Sequence, residues 1–124
     1  MMENGSSQKL FIEDHDLDFI NAGEGIYRKV IAYDERLMLV KITFEKGSVG
    51  ALHHHPHTQI SYIEKGVFEV TISDEKKVLS TGSSFFVPPG ALHGVCCLEP
   101  GVLIDMFSPM REDYVINEPA HRDK

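Results

Sequence analysis

Residues 47–66 read GSVGALHHHPHTQISYIEKG and place four histidines and a glutamine within residues 53–59, with a glycine at either end of the stretch. Side chains alternate faces along a strand, so His53, His55 and Gln59 can look one way while His54 looks the other. That spacing suits a metal site built on a β-sheet. Two imidazoles and an amide oxygen leave a site incomplete, and the best further ligand is His93 in GSSFFVPPGALHGV. Glycine and proline hold that loop in shape, and His93 opens the strand after it. An expression tag would be terminal and unbroken, whereas this run lies mid-chain and is interrupted by Pro56.

Together the two stretches have the forms G-x5-H-x-H-x3-Q-x6-G, on Gly47, His53, His55, Gln59 and Gly66, and G-x5-P-x-G-x2-H, on Gly82, Pro88, Gly90 and His93. Both resemble the signature motifs of the cupin superfamily. Two positions differ from its commonest pattern: Gln59 stands where the family often has Glu, and Cys97 where it often has Asn. The resemblance implies an all-β double-stranded β-helix, or jelly-roll barrel, and a metal held by His53, His55, Gln59 and His93. The bland alternative is a barrel that binds no metal. Three imidazoles and a neutral amide suit one divalent first-row ion, Zn, Ni, Fe, Mn or Co, with positions open to water or substrate. His54 by alternation, and His57 because Pro56 breaks the ladder before it, are expected outside the ligand set, behind it or at the surface.

The 124 residues suffice for one domain, expected over residues 9–116, with polar and loose ends at 1–8 and 117–124; His121 is expected to be solvated. A net charge of −7 without a basic run argues against nucleic acid. An anionic substrate must then be drawn by a local metal or arginine rather than by the overall field. The start MMENGSSQKL has no signal-peptide character, and no apolar run approaches the ~20 residues of a membrane span. A cytoplasmic protein is expected. Adjacent Cys96 and Cys97 would face opposite ways on a strand and are expected as reduced thiols.

Along the chain, LFI and LDFI are candidate short edge strands. IYRKVIAYD reads as a strand, Asp34-Glu35 as a hairpin turn, and RLMLVKITFE as a half-buried strand with Met38, Val40, Ile42 and Phe44 on one face. QISYIEKG and VFEVTIS are expected to meet at Lys65-Gly66, and KKVLS, a short buried FFVP and LHGVCCL to follow. VLIDMFSP comes past a break at Glu99-Pro100-Gly101, and a helical turn is expected at residues 111–115. Many short strands without a long helical period point to an all-β barrel or jelly roll.

Asp105 is an acid within an apolar strand, where it costs free energy unless paired or facing a polar cavity. Alternation puts it on one face with Leu103 and Phe107. If that face is inward, Asp105 can act as general acid or base beside the metal. The alternatives are a surface-facing Asp105 or one paired with Arg111. Arg111 is by default solvated, although its planar fork suits a sugar carboxylate. The stretches ALHHHPHTQISYIEKGVFEVTI and PPGALHGVCCLEPGVLIDMFSPMREDY resemble more closely the small single-domain cupins of pectin degradation, the KdgF type. This resemblance implies ring opening of 4,5-unsaturated uronate monomers to the linear 4-deoxy-5-keto uronate. Asp105 would be the acid/base, Arg111 the carboxylate ligand and Phe107 a platform for the sugar ring. The rival readings are a metal-dependent dioxygenase and a non-catalytic sugar-binding or sensing module. A homodimer is expected, because the N-terminal strands leave an edge and the superfamily is commonly dimeric.

Overall fold

The computed structural model describes residues 9–116. The expectations for residues 1–8, for residues 117–124 and for His121 fall outside the described residues. Eight strands are followed by one short helix: β1 Ile20–Gly23, β2 Ile26–Tyr33, β3 Met38–Phe44, β4 Val49–His53, β5 Thr58–Ile72, β6 Glu75–Ser80, β7 Ser84–Val87, β8 His93–Ser108 and α1 Glu112–Ile116. β3 keeps strict alternation, burying Met38, Val40, Ile42 and Phe44. β2 reaches it through a turn in which Asp34 Oδ1 accepts from the backbone N–H groups of Arg36 and Leu37, so the expected hairpin is present.

β5 and β8 organise the barrel. They pair antiparallel from Thr58↔Ser108 to Ile72↔His93. On one half, β3 flanks β8 and β7 flanks β5; on the other, β4 flanks β8 and β6 flanks β5. The two long strands therefore pass from one sheet into the other, and the two sheets enclose the core. The Phe44 and Phe68 rings meet edge to face across it at 5.1 Å.

The expected breaks at Lys65-Gly66 and Glu99-Pro100-Gly101 are corrected by this continuity. Both stretches are bulges inside long strands, where the register shifts between Ile63 and Phe68. The reason is close approach. A Cβ on Gly66, whose φ is +98°, would stand 2.6 Å from the Gly101 Cα, and one on Gly101 would stand 2.5 Å from the Lys65 carbonyl oxygen. Two glycines facing each other let the strands bend together and stay paired.

LFI is not a strand: Leu10 and Phe11 are exposed, and β1 starts only at Ile20. The preceding segment holds a 3-10 turn, Asp14–Asp16, fastened by polar contacts instead of a ladder. The almost buried Lys29 places Nζ 3.0 Å from Asp14 Oδ1 and donates to the carbonyls of Asp14 and Leu17. In β7, Phe85 and Val87 are buried as expected but Phe86 faces out. The helical turn forms one residue later than expected. Cys96 and Cys97 are free thiols, with Cys97 buried. Among the described residues no helix is long and apolar enough to cross a membrane.

Candidate active site

His53, His55 and His93 come from three places. β4 ends at His53, His55 lies in the loop before β5, and His93 is the first residue of β8, paired across the ladder with His53. A single strand carrying His53, His55 and Gln59 is thus corrected, since Pro56 has no N–H to continue the ladder. Convergence survives because the loop turns back on itself, with the Gly90 N–H donating to the His55 carbonyl at 2.8 Å. The ring centroids of His53 and His93 are 4.3 Å apart and those of His55 and His93 are 4.8 Å apart. One nitrogen from each of the three rings lies within 4.8 Å of the others.

Their environment fits a divalent ion. His53 and His93 each donate Nδ1–H to a carbonyl at 2.9 Å, from Ala51 and Ala91, and so keep Nε2 as the bare nitrogen. The Nε2 of His93 is buried and has no hydrogen-bond partner. Burial pushes the imidazole of His93 down to about 4, with the neighbouring His53 and His55 adding to the effect against the Ala91 hydrogen bond. Burial also lowers His55, opposed by its bond to Gln59. Neutral imidazoles are the form that ligates. Gln59 Oε1 stands 2.9 Å from His55 Nε2. In that contact Nε2–H donates to the amide oxygen and the buried Nδ1 has no partner; with the proton moved to Nδ1, two ligands at about 2.1 Å from one ion, meeting at right angles, would stand about that far apart. His54, just past the end of β4, is exposed. His57 is half-buried behind the cluster, its ring 5.3 Å from that of His55 and its Nδ1 without a partner.

Leu103, Asp105 and Phe107 are all buried, so the Asp105 face of β8 is the inward one. Asp105 is not ion-paired with Arg111 among the described contacts; its Oδ1 accepts a 2.6 Å hydrogen bond from Ser61. Ser61, fully buried, accepts in turn from Gln59 Nε2 at 2.9 Å. Burial raises the Asp105 carboxyl to about 6, against the opposing pulls of the Ser61 hydrogen bond and the Arg111 charge. A group poised there can take and return a proton near neutral pH.

A cavity of about 330 Å³ is lined, among others, by His53, Gln59, His93, Asp105, Phe107 and Arg111. Arg111 is oriented by a fork to Asp113, with Nη2 to Oδ2 at 2.9 Å, and by donation from Nη1 to the Tyr114 hydroxyl at 3.0 Å. Burial pushes the Asp113 carboxyl up, but the hydrogen bond from Arg111 and its charge together hold that carboxyl below the usual range. Tyr114 also lies within 3.9 Å of the Arg28 guanidinium, and its ring meets Phe107 edge to face at 5.7 Å.

Ser61, Arg28 and Tyr114 are the lining or bridging residues that sequence reasoning missed. For Ser61 a signal existed: Gln59, Ser61 and Ile63 share a face in β5, so a polar pair points inward beside an apolar residue. Arg28 carried no such mark. Its place in the cavity follows from the β2–β3 register.

Residues 40–107 match the family model described as a cupin domain. The pectin degradation protein KdgF of Dickeya dadantii is 43% identical over 110 residues, spanning 87% of this chain and 99% of that protein. The solved structure of KdgF from Halomonas sp. superposes with a TM-score of 0.82 at 41% identity, over 86% of this chain and 98% of that one. An RmlC-like cupin from Shewanella frigidimarina gives a TM-score of 0.83 at 42% identity, over 86% and 96% of the two chains. The barrel, its histidine cluster and these similarities agree: this chain belongs to the cupin family and, within it, to the KdgF-type proteins.

Proposed function

We propose that this protein is a metal-dependent enzyme that opens the ring of 4,5-unsaturated uronate monosaccharides, giving the linear 4-deoxy-5-keto uronate. The observation that carries this reading is the buried Asp105 carboxyl, raised to about 6, sharing one cavity with His53 and His93, on which His55 also converges. The chain is also 43% identical to a pectin degradation protein over nearly all of that protein's length.

The reaction is an isomerisation, so a returnable proton is needed and no oxidant is consumed. Asp105, as carboxylate, takes the proton of the anomeric hydroxyl. The anomeric carbon then forms its carbonyl as its bond to the ring oxygen breaks, and that electron pair stays on the ring oxygen as an enolate. Asp105 returns the proton to the far carbon of the double bond, and the enolate becomes the ketone. His53, His55, Gln59 and His93 would hold a divalent ion, which when bound supplies Lewis acidity toward a substrate oxygen. Arg111 faces the sugar carboxylate with a guanidinium already fixed by Asp113 and Tyr114, and Phe107 packs on the ring.

Proton magnetic resonance on unsaturated galacturonate tests the reaction. The expected result is loss of the vinyl and anomeric signals with unchanged product mass. Oxygen uptake, or a product heavier by oxygen, would replace this reading by a dioxygenase.

We further infer a homodimer in a reducing cytoplasm. The free thiols of Cys96 and Cys97 support the compartment. An outward apolar row supports the dimer: Phe86, Ile60, Met106 and Leu39 are successive cross-strand partners over β7, β5, β8 and β3. Phe86, Ile60 and Met106 are 54%, 41% and 37% exposed.

A further inference from the structure

Two polar side chains, Gln59 and Ser61, stand between His55 and Asp105 and complete an unbroken hydrogen-bonded row inside the barrel. The direction of each bond in the row follows from its last member. An ionised carboxylate only accepts, so the Ser61 hydroxyl, 2.6 Å away, donates to Asp105 Oδ1. A hydroxyl that has given its proton offers lone pairs on its other side. The Gln59 group 2.9 Å from it is therefore the NH2. That leaves Gln59 Oε1 as the atom turned toward His55 Nε2, at 2.9 Å. With no acceptor at position 105, Ser61 could donate to Gln59 instead. The amide would then turn over and present an NH2 group, which has no lone pair for a cation.

We propose that Ser61 is a positioning residue: its hydroxyl carries the acceptor character of residue 105 across to Gln59, and so fixes Oε1 as the atom offered to a divalent ion beside His53, His55 and His93. The inference rests on the metal-site reading above and is independent of which sugar is the substrate. Metal affinity then depends on a side chain, Asp105, that has no part in ligation. The dependence passes through Ser61, which is fully buried and pairs with Asp105 across the β5–β8 ladder.

The test measures Ni2+ affinity of the chelator-stripped full chain by competition with a chromogenic chelator, without sugar. Asp105→Asn and Asp105→Leu remove the same charge, but only asparagine keeps an acceptor oxygen for Ser61. With Ser61 in place, Asp105→Leu is expected to bind Ni2+ about tenfold more weakly than Asp105→Asn, the scale of losing a partner that orients a ligand. In the Ser61→Ala background that difference is expected to vanish. Ser61→Ala alone should weaken Ni2+ binding by a similar factor while keeping a cooperative thermal melt. Equal affinities for the two Asp105 variants with Ser61 present would overturn the proposal, and this comparison holds even if the alanine variant does not fold. Failure of the unaltered chain to bind Ni2+ would overturn the metal reading and this inference with it. Binding by the unaltered chain with equal affinities in the two Asp105 variants removes the inference alone.

Discussion

Asp105 is under two opposing pulls. Its burial favours the protonated form, while Ser61 and the charge of Arg111 favour the carboxylate; burial wins, and the carboxyl rises from 3.8 to about 6. The folded chain thus holds this proton more tightly than the unfolded chain, so ionisation opposes folding. Stability from this group is present at pH values below the unfolded value and is lost as pH rises through the folded one. Two units at 1.36 kcal/mol each amount to about 3 kcal/mol at neutral pH. Asp105→Asn in the metal-stripped chain is therefore expected to raise stability by up to about 3 kcal/mol near pH 7 and by almost nothing near pH 4. Urea denaturation at the two pH values checks this, and equal stability of the two proteins at pH 7 would contradict it. The same substitution should cost turnover at least about a hundredfold, since the proton carrier is gone. At this scale the sequence disclosed Asp105, because an acid among Leu103, Ile104 and Met106 is conspicuous. Ser61 shares a face with Gln59 in the sequence pattern, but its role shows only when the register sets it opposite Asp105.

The long strands β5 and β8 carry the site on their shared ladder: Gln59 and Ser61 on one, and His93, Asp105 and Phe107 on the other. Their common bend at Gly66 and Gly101 decides whether the two sheets can close over the cavity. Gly66→Ala puts a methyl group against backbone at 2.6 Å in a left-handed conformation. Its expected cost is about 3 kcal/mol or more, by overpacking added to backbone strain. Gly47→Ala has a φ of +87° but nothing within 4 Å, so it should cost only about 1 kcal/mol. Chemical denaturation of the two variants side by side checks the ranking, and equal losses would mean that the crossing is not tight. Short strands with clean alternation, such as β3, were legible from period two. The long ones were not, because Glu99-Pro100-Gly101 has the composition of a turn and only the facing glycine makes it a bulge. Likewise the histidine run looked like a strand because strand spacing and this loop both bring His53 and His55 to one side.

For the whole molecule, a net charge of −7 works against an anionic sugar, and the cavity answers with local cations. Arg111 was legible from its place after Asp105 and Phe107; Arg28 and the Tyr114 ring that contacts both guanidiniums were not, because they lie far apart in the sequence. The outward row of Phe86, Ile60 and Met106 is the face on which a second copy is expected to pack. Ile60→Glu should convert a dimer to a monomer in light scattering coupled to size exclusion, while a mass unaffected by this change would place any interface elsewhere.

The whole site predicts joint action of Asp105 and a histidine-held metal on an unsaturated uronate. Its most direct test follows the conjugated double-bond absorbance of the lyase-generated monomer with the metal-loaded protein, the chelated protein and Asp105→Asn. The predicted result is faster loss with the loaded protein than in buffer alone, falling to the buffer rate on chelation and nearly so in Asp105→Asn. No acceleration by the loaded protein, or acceleration untouched by either change, would contradict the account.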